Sequence, residues 1–147
     1  LFVGLGTPEA LYSIRSRNET LGKSTEAVAI LDAQQALKLW HSPLLAGVQS
    51  DQPDLSVRQM AVLLSVYLEP PPHSVRHLAA SLAISKPAVT RALDRLESHE
   101  FVRRATDDRD RRSIIVLRTI KGSVYLRELA DHIVRAFDEI AGGGSEE

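Results

Sequence analysis

Hydrophobic positions recur at helical spacing along most of the chain and change to strand-like runs only once. A first helical pattern starts at Ser24 or Thr25, where a hydroxyl N-cap precedes Glu26. It places Ala27, Val28, Leu31, Ala36, Leu37 and Trp40 on one broad face, and Pro43 marks its end region. Residues before about Lys23 keep no steady period, and Gln49 to Pro53 reads as a polar connection. Ser56 caps a second helix, Val57 to about Leu68. Its Met60, Ala61, Leu63, Leu64 and Tyr67 make it apolar all round, the pattern of a core helix. Pro70-Pro71-Pro72 stops it, because proline lacks the amide donor and restricts the residue before it.

The pattern then quickens. Ser74 to Leu82 is a short helix and Ser85 to Glu97 a second. Phe101 and Val102 begin a strand, Thr106 to Arg112 is a charged turn, and Ile114-Ile115-Val116-Leu117 is the β-branched return strand. Thr119 caps a last helix, with Val124, Leu126, Leu129, Ile133, Phe137 and Ile140 as its apolar stripe. The glycine-rich stretch 142–147 has the composition of a flexible tail. Helix, turn, helix and hairpin in this order predict a mainly α fold with a small β-wing, a winged helix-turn-helix. Three segments are expected: an N-terminal arm and dimerisation helix over 1–55, the winged helix over 56–118, and a C-terminal dimerisation helix and tail over 119–147.

Length and composition fit that layout. The 147 residues suit one domain with arms, and the 44% hydrophobic and 25% charged shares are those of an ordinary globular protein. With no cysteine, disulfides, thiolate metal sites and thiol redox sensing are excluded. No apolar run reaches membrane-spanning length, and Leu1 to Gly6 lacks the cationic flank of a signal peptide. The expected compartment is the cytoplasm. Leu1 in place of Met is what a fragment, a processed chain or a renumbered one would show.

The net charge of −1 hides an asymmetry. From His73 to Gly122 eleven cations stand against six anions, a surplus of +5, while the rest of the chain carries −6. A basic module in an acidic chain points to a localised anionic partner such as phosphate backbone. On the second short helix Val89, Ala92, Leu93 and Leu96 share one side, and Leu78, Leu82 and Ile84 can pack against it. The opposite side carries Pro87, Thr90, Arg91, Asp94, Arg95 and Ser98. Ser85 is a natural N-cap that can also meet a phosphate, and Pro87 sits where its missing donor costs nothing. Lys86, Thr90 and Arg91 are best placed for base edges or nearby phosphates, and Arg95 for phosphate. In the charged turn, Arg109, Arg111 and Arg112 lie beside Asp107, Asp108 and Asp110. A guanidinium at a hairpin tip can enter the minor groove, and a neighbouring aspartate can hold it by bidentate hydrogen bonds. Without DNA, the same residues would make a solvated cluster of ion pairs.

Ser85-Lys86-Pro87-Ala88-Val89-Thr90-Arg91-Ala92-Leu93-Asp94-Arg95-Leu96-Glu97, followed by Phe101-Val102-Arg103-Arg104, Asp110-Arg111-Arg112 and Thr119-x-x-Gly122, resembles the MarR family of winged-helix transcriptional regulators. The resemblance covers roughly residues 56–129. It implies a homodimer with interleaved terminal helices, a recognition helix in the major groove and a wing arginine in the minor groove of a pseudo-palindromic double-stranded DNA operator. Arg112 matches that wing arginine and Asp110 its supporting carboxylate. Two departures stand out. Arg118 occupies the position before Thr119 where leucine is usual, and there is room for about one helix after the wing instead of two. The resemblance also implies a repressor that a small aromatic ligand relieves, with Trp40, His41, Arg58, Met60 and Tyr67 as candidate pocket residues by approximate position. Trp40 and Tyr67 read equally as core aromatics.

Two other readings stay open. One is a winged helix used for protein contact. The other is a metal-responsive regulator using His73 and His77, spaced i, i+4, although no third ligand can be named. No nucleophile elbow, phosphate loop or zinc-protease signature is present, so neither enzymatic activity nor a cofactor is expected.

Overall fold

The computed structural model describes residues 31–142. Helix α1 spans Ala33–Gln49 and starts at a capping box, in which Asp32 accepts from the Gln35 amide and the Gln35 side chain accepts from the Asp32 amide. The expected start at Ser24 or Thr25 lies outside the described residues. Pro43 does not end this helix. It is buried inside it, and the helix runs on to Gln49, where Ser50 closes the end on the Gly47 carbonyl. Packing along the last helix holds α1 through the one missing amide bond.

Helix α2 spans Val57–Leu68 and starts at a second capping box, Ser56 with Gln59. Val62, Leu63, Val66 and Tyr67 are buried, whereas Val57 and Leu68 at its two ends are exposed. The helix is therefore a core helix along its middle and not throughout. Strand β1, His73–Ser74, was not legible as a strand, because two residues carry no period. Ser74 also caps helix α3, Val75–Ser81, by accepting from the His77 amide.

The turn after α3 is a Schellman motif. The Ile84 amide reaches back to the Ala79 carbonyl and the Ala83 amide to that of Ala80. Ala83 sits there at φ 52°, a left-handed conformation that normally selects glycine. Helix α4 spans Lys86–Ser98 and ends in the same motif, with Glu100 at φ 62° and the Phe101 amide bonded to Leu96. Strands β2, Val102–Thr106, and β3, Ile114–Arg118, pair antiparallel from Val102↔Arg118 to Thr106↔Ile114. Phe101 precedes the strand and is buried. β1 adds to the other edge of β3, giving the order β1-β3-β2.

Helix α5, Ile120–Gly142, follows at once. Thr119 caps it, with its hydroxyl oxygen accepting from the Gly122 amide. The core joins α2, α3, α4, the sheet and the first turns of α5 through residues such as Leu63, Leu78, Leu93, Leu96, Phe101, Val116 and Leu126. At its centre the Tyr67 hydroxyl donates to the Phe101 carbonyl (2.8 Å) and accepts from the Thr119 amide (2.8 Å). Gly122 lies hard against this point, where a Cβ would overlap the Phe101 carbonyl oxygen and the Tyr67 hydroxyl. Arg118 caps the end of α2, its guanidinium donating to the carbonyls of Val66 and Glu69 (both 2.8 Å).

Candidate nucleic-acid interface

The sequence of α4 separates an anchoring side from a free one. Ala88, Val89, Ala92, Leu93 and Leu96 are buried against the core. Lys86, Pro87, Arg91, Asp94, Arg95 and Ser98 face outward and are exposed, and Thr90 is half-buried. Ser85 caps the helix by accepting from the Ala88 amide (3.3 Å). The Thr90 hydroxyl donates to the Lys86 carbonyl (3.0 Å), which leaves its oxygen lone pairs as acceptors. The cations Lys86, Arg91 and Arg95 thus lie on the exposed part of a helix whose N-terminal dipole has the same sign as their charge.

The wing is a hairpin whose tip is closed by its own backbone and carboxylates. The Asp107 amide donates to the Ser113 carbonyl (2.9 Å) and the Ser113 amide to that of Asp110 (2.8 Å). Asp107 accepts from the Arg109 amide (2.9 Å), and Asp110 accepts from the Arg112 amide (3.1 Å) and the Ser113 hydroxyl (2.7 Å). These bonds, the one from the Ser113 hydroxyl first, hold the Asp110 carboxyl below its ordinary pKa. The expected bidentate grip of an aspartate on an arginine is not what the tip shows. An Asx-type turn satisfies the carboxylates with amides two residues on, a shorter reach than a guanidinium. Arg109, Arg111 and Arg112 are exposed and form no ion pair among the described residues.

One interaction that the sequence did not reveal joins the wing to α4. Glu97 accepts from the Arg104 amide (2.9 Å), Nε (2.9 Å) and Nη2 (2.6 Å), while Asp94 accepts from the same Nη2 (2.7 Å). The backbone bond from Arg104 is the largest cause of a lowered Glu97 pKa, followed by the side-chain bond. The signal was there in outline: Asp94 and Glu97 stand i, i+3 on one helix face, and a nearby strand carries an arginine.

The MarR family model matches residues 55–114, from the residue before the α2 cap to the first residue of β3. Solved structures repeat the fold. A transcriptional regulator from Thermotoga maritima matches with a TM-score of 0.63 at 20% identity over 77% of each chain. The regulator BldR from Sulfolobus solfataricus matches at 26% identity over 77% of this chain and 86% of its own, with a TM-score of 0.51. A mutant of MarR from E. coli, solved in complex with operator DNA, matches at 22% identity over 75% of this chain and 74% of its own, with a TM-score of 0.54. Over its winged helix this chain is similar to the MarR family. A MarR-type fold implies DNA-binding transcriptional regulation.

Within this fold the five pocket candidates occupy different settings. Tyr67 is buried with its hydroxyl committed to backbone groups. Met60 packs at the margin of the core, and Arg58 is exposed in the first turn of α2. Trp40 and His41 are exposed on α1, which packs chiefly against α5. Trp40 belongs to a stripe with Leu37, Leu44 and Val48, all more than half exposed. The His73 ring is buried without a hydrogen-bond partner, its centroid 6.5 Å from that of His77. Among the described residues no group of three or more His, Cys, Asp or Glu is placed to hold a metal. No described helix is long and apolar enough to cross a membrane.

Proposed function

We propose that this chain is a cytoplasmic homodimeric repressor that reads a pseudo-palindromic operator in double-stranded DNA. The observation that carries this reading is the outward side of α4 and the wing tip, which together present Lys86, Arg91, Arg95, Arg109, Arg111 and Arg112 without ion-pair partners among the described residues. α4 would enter the major groove, with Ser85, Lys86 and Pro87 at its start and Thr90 and Arg91 toward base edges, while Arg95 meets phosphate. Arg112 would enter the adjacent minor groove, with Arg109 and Arg111 on the flanking phosphates. Asp110 supports Arg112 by fixing its amide and so the path of the tip. The E. coli MarR complex with operator DNA shares this fold and supports the assignment.

The winged helix over 56–118 would do the reading, and the segments 1–55 and 119–147 would join two copies. Exposed Leu37, Trp40, Leu44 and Val48 on α1 and Val124, Val134 and Phe137 on α5 offer the apolar surface for it. Two copies would place half-site centres about 10 bp apart. A small aromatic acid is the proposed effector class. Arg58 and His41 would supply charge, and Trp40 and Met60 apolar surface, beside the fixed Tyr67. Trp40 is the single tryptophan, so its emission reports on this directly.

Selection of bound duplexes from a random pool tests the reading. A palindromic consensus that Arg112→Ala binds at least tenfold more weakly supports it. An absence of any enriched sequence at moderate salt overturns it. Titration with salicylate-like acids should change Trp40 emission and weaken operator binding together, and if neither moves, the effector assignment falls.

A further inference from the structure

We propose that Arg104 is a positioning residue for DNA recognition: it locks the wing to α4 at one angle and cancels the carboxylate charge of Asp94 and Glu97 there. The inference rests on the DNA-binding reading above. Arg104 sits mid-strand in β2, opposite Val116, so its backbone is already fixed by the sheet. Glu97 then holds both its amide and its guanidinium, with Oε1 on the backbone and Oε2 on Nε and Nη2. Asp94, one turn earlier on α4, takes the same Nη2. A planar fork bound at two carboxylates leaves little freedom for the strand to pivot on the helix. Beyond the backbone bonds of the turn itself, the two reading elements meet through apolar contacts near Leu96, Phe101 and Val102, which resist separation but tolerate sliding.

The charge argument runs the same way. The outer side of α4 carries Lys86, Arg91 and Arg95 against Asp94 and Glu97. Two uncompensated carboxylates within reach of phosphate would repel it and weaken counterion release. Arg104 sits between them, with its side chain about seven-tenths buried, and is the only cation in ion-pair contact with either among the described residues. It therefore improves recognition without touching DNA through the Nε or Nη2 donors, which are already spent on the two carboxylates.

A double-mutant cycle on the full chain tests this, with the duplex that wild type selects as the probe. Arg112→Ala, Arg104→Met and the double variant are titrated at several salt concentrations. Arg104→Met should weaken binding about tenfold, and Arg112→Ala should then cost at least fivefold less than in wild type, because a freed wing no longer delivers Arg112. Glu97→Gln, which keeps the shape and one acceptor, should reproduce the loss of coupling with an unchanged circular dichroism spectrum, and carries the cycle if Arg104→Met fails to fold. Additive effects in both backgrounds overturn the positioning role. A salt slope reduced by about one with additive effects would instead mark Arg104 as a direct phosphate ligand. Should wild type select no duplex at all, the DNA-binding reading fails first and this one with it, a result visible before any variant is made.

Discussion

Replacing Tyr67 by phenylalanine removes one oxygen and leaves the ring. In the folded protein that oxygen donates to the buried Phe101 carbonyl and accepts from the Thr119 amide, both at 2.8 Å, with the Thr119 carbonyl as a second acceptor at 3.0 Å. Phenylalanine fills the same volume, so no cavity forms and the loss is one of hydrogen bonding alone. Leaving a buried backbone group without a partner costs about 1–3 kcal/mol, and a net hydrogen bond is worth about 1 kcal/mol. The expected loss for Tyr67→Phe is therefore about 2 kcal/mol. For a chain of this size that corresponds to a fall of roughly 6 °C in Tm. In urea it moves the midpoint by about 1 M at an unchanged slope. The comparison must be made at one protein concentration, since association adds to apparent stability. Tyr125→Phe is the control. Its ring stacks on Phe101 at 4.4 Å, but its hydroxyl has no hydrogen bond among the described residues, and its loss should cost under about 0.5 kcal/mol. A Tyr67→Phe midpoint within 0.2 M of wild type, roughly a fifth of that shift, would refute the account of the junction.

Other variants probe other parts of the argument. Gly122→Ala should destabilise by about 3 kcal/mol or more, because the new methyl group overlaps a backbone carbonyl that cannot retreat; Gly47→Ala, with open space around it, should be neutral or slightly stabilising in the same urea series. Ala83→Gly should stabilise by about 0.5–1 kcal/mol by relieving a left-handed alanine, as read by thermal unfolding. Burial first, then Arg118, lowers the His73 pKa, and burial with Arg95 and Lys121 lowers that of His99. Both rings therefore hold a proton less readily in the fold than in the unfolded chain, so stability is complete above the ordinary imidazole value of about 6.5 and falls as pH drops below it. His73→Phe should flatten the unfolding midpoint between pH 7.5 and 5, where the lowered carboxyls of Glu97, Glu100 and Asp110 do not yet contribute.

The helices were legible where a cap and an apolar stripe agreed. Ser56, Ser74, Ser85 and Thr119 each announced a helix that the structure contains, because the capping bond is local. Pro43 misled, since the local cost of a proline is outweighed by packing against a helix some eighty residues further on. β1 escaped notice because its partner β3 lies more than forty residues away. Within the interface the two sides of α4 were readable from periodicity. The Arg104 fork was not, because it joins a helix to a strand across a turn whose φ of 62° at Glu100 no propensity would favour. The partners of Asp110 were not legible either: the sequence suggested a guanidinium, whereas the carboxylate takes the Arg112 amide and the Ser113 hydroxyl, which residue types alone do not distinguish. The exposure of Trp40 was equally hidden, since an apolar stripe looks the same whether it faces its own core or another surface.

The junction of Tyr67, Phe101 and Gly122 fixes the root of α5 to the core, and α1 packs along the rest, so the pair acts as a rigid pointer. The 23 residues of α5 extend about 34 Å, so a tilt of about 5° at the root carries the tip roughly 3 Å. That displacement is close to the 3.4 Å between successive base pairs on one strand. In the proposed dimer, joined through such pointers, the way the two tips cross would set the distance between reading heads in steps the size of a base pair. Substitutions far from any nucleotide could then retune operator spacing while every DNA-facing residue stays the same.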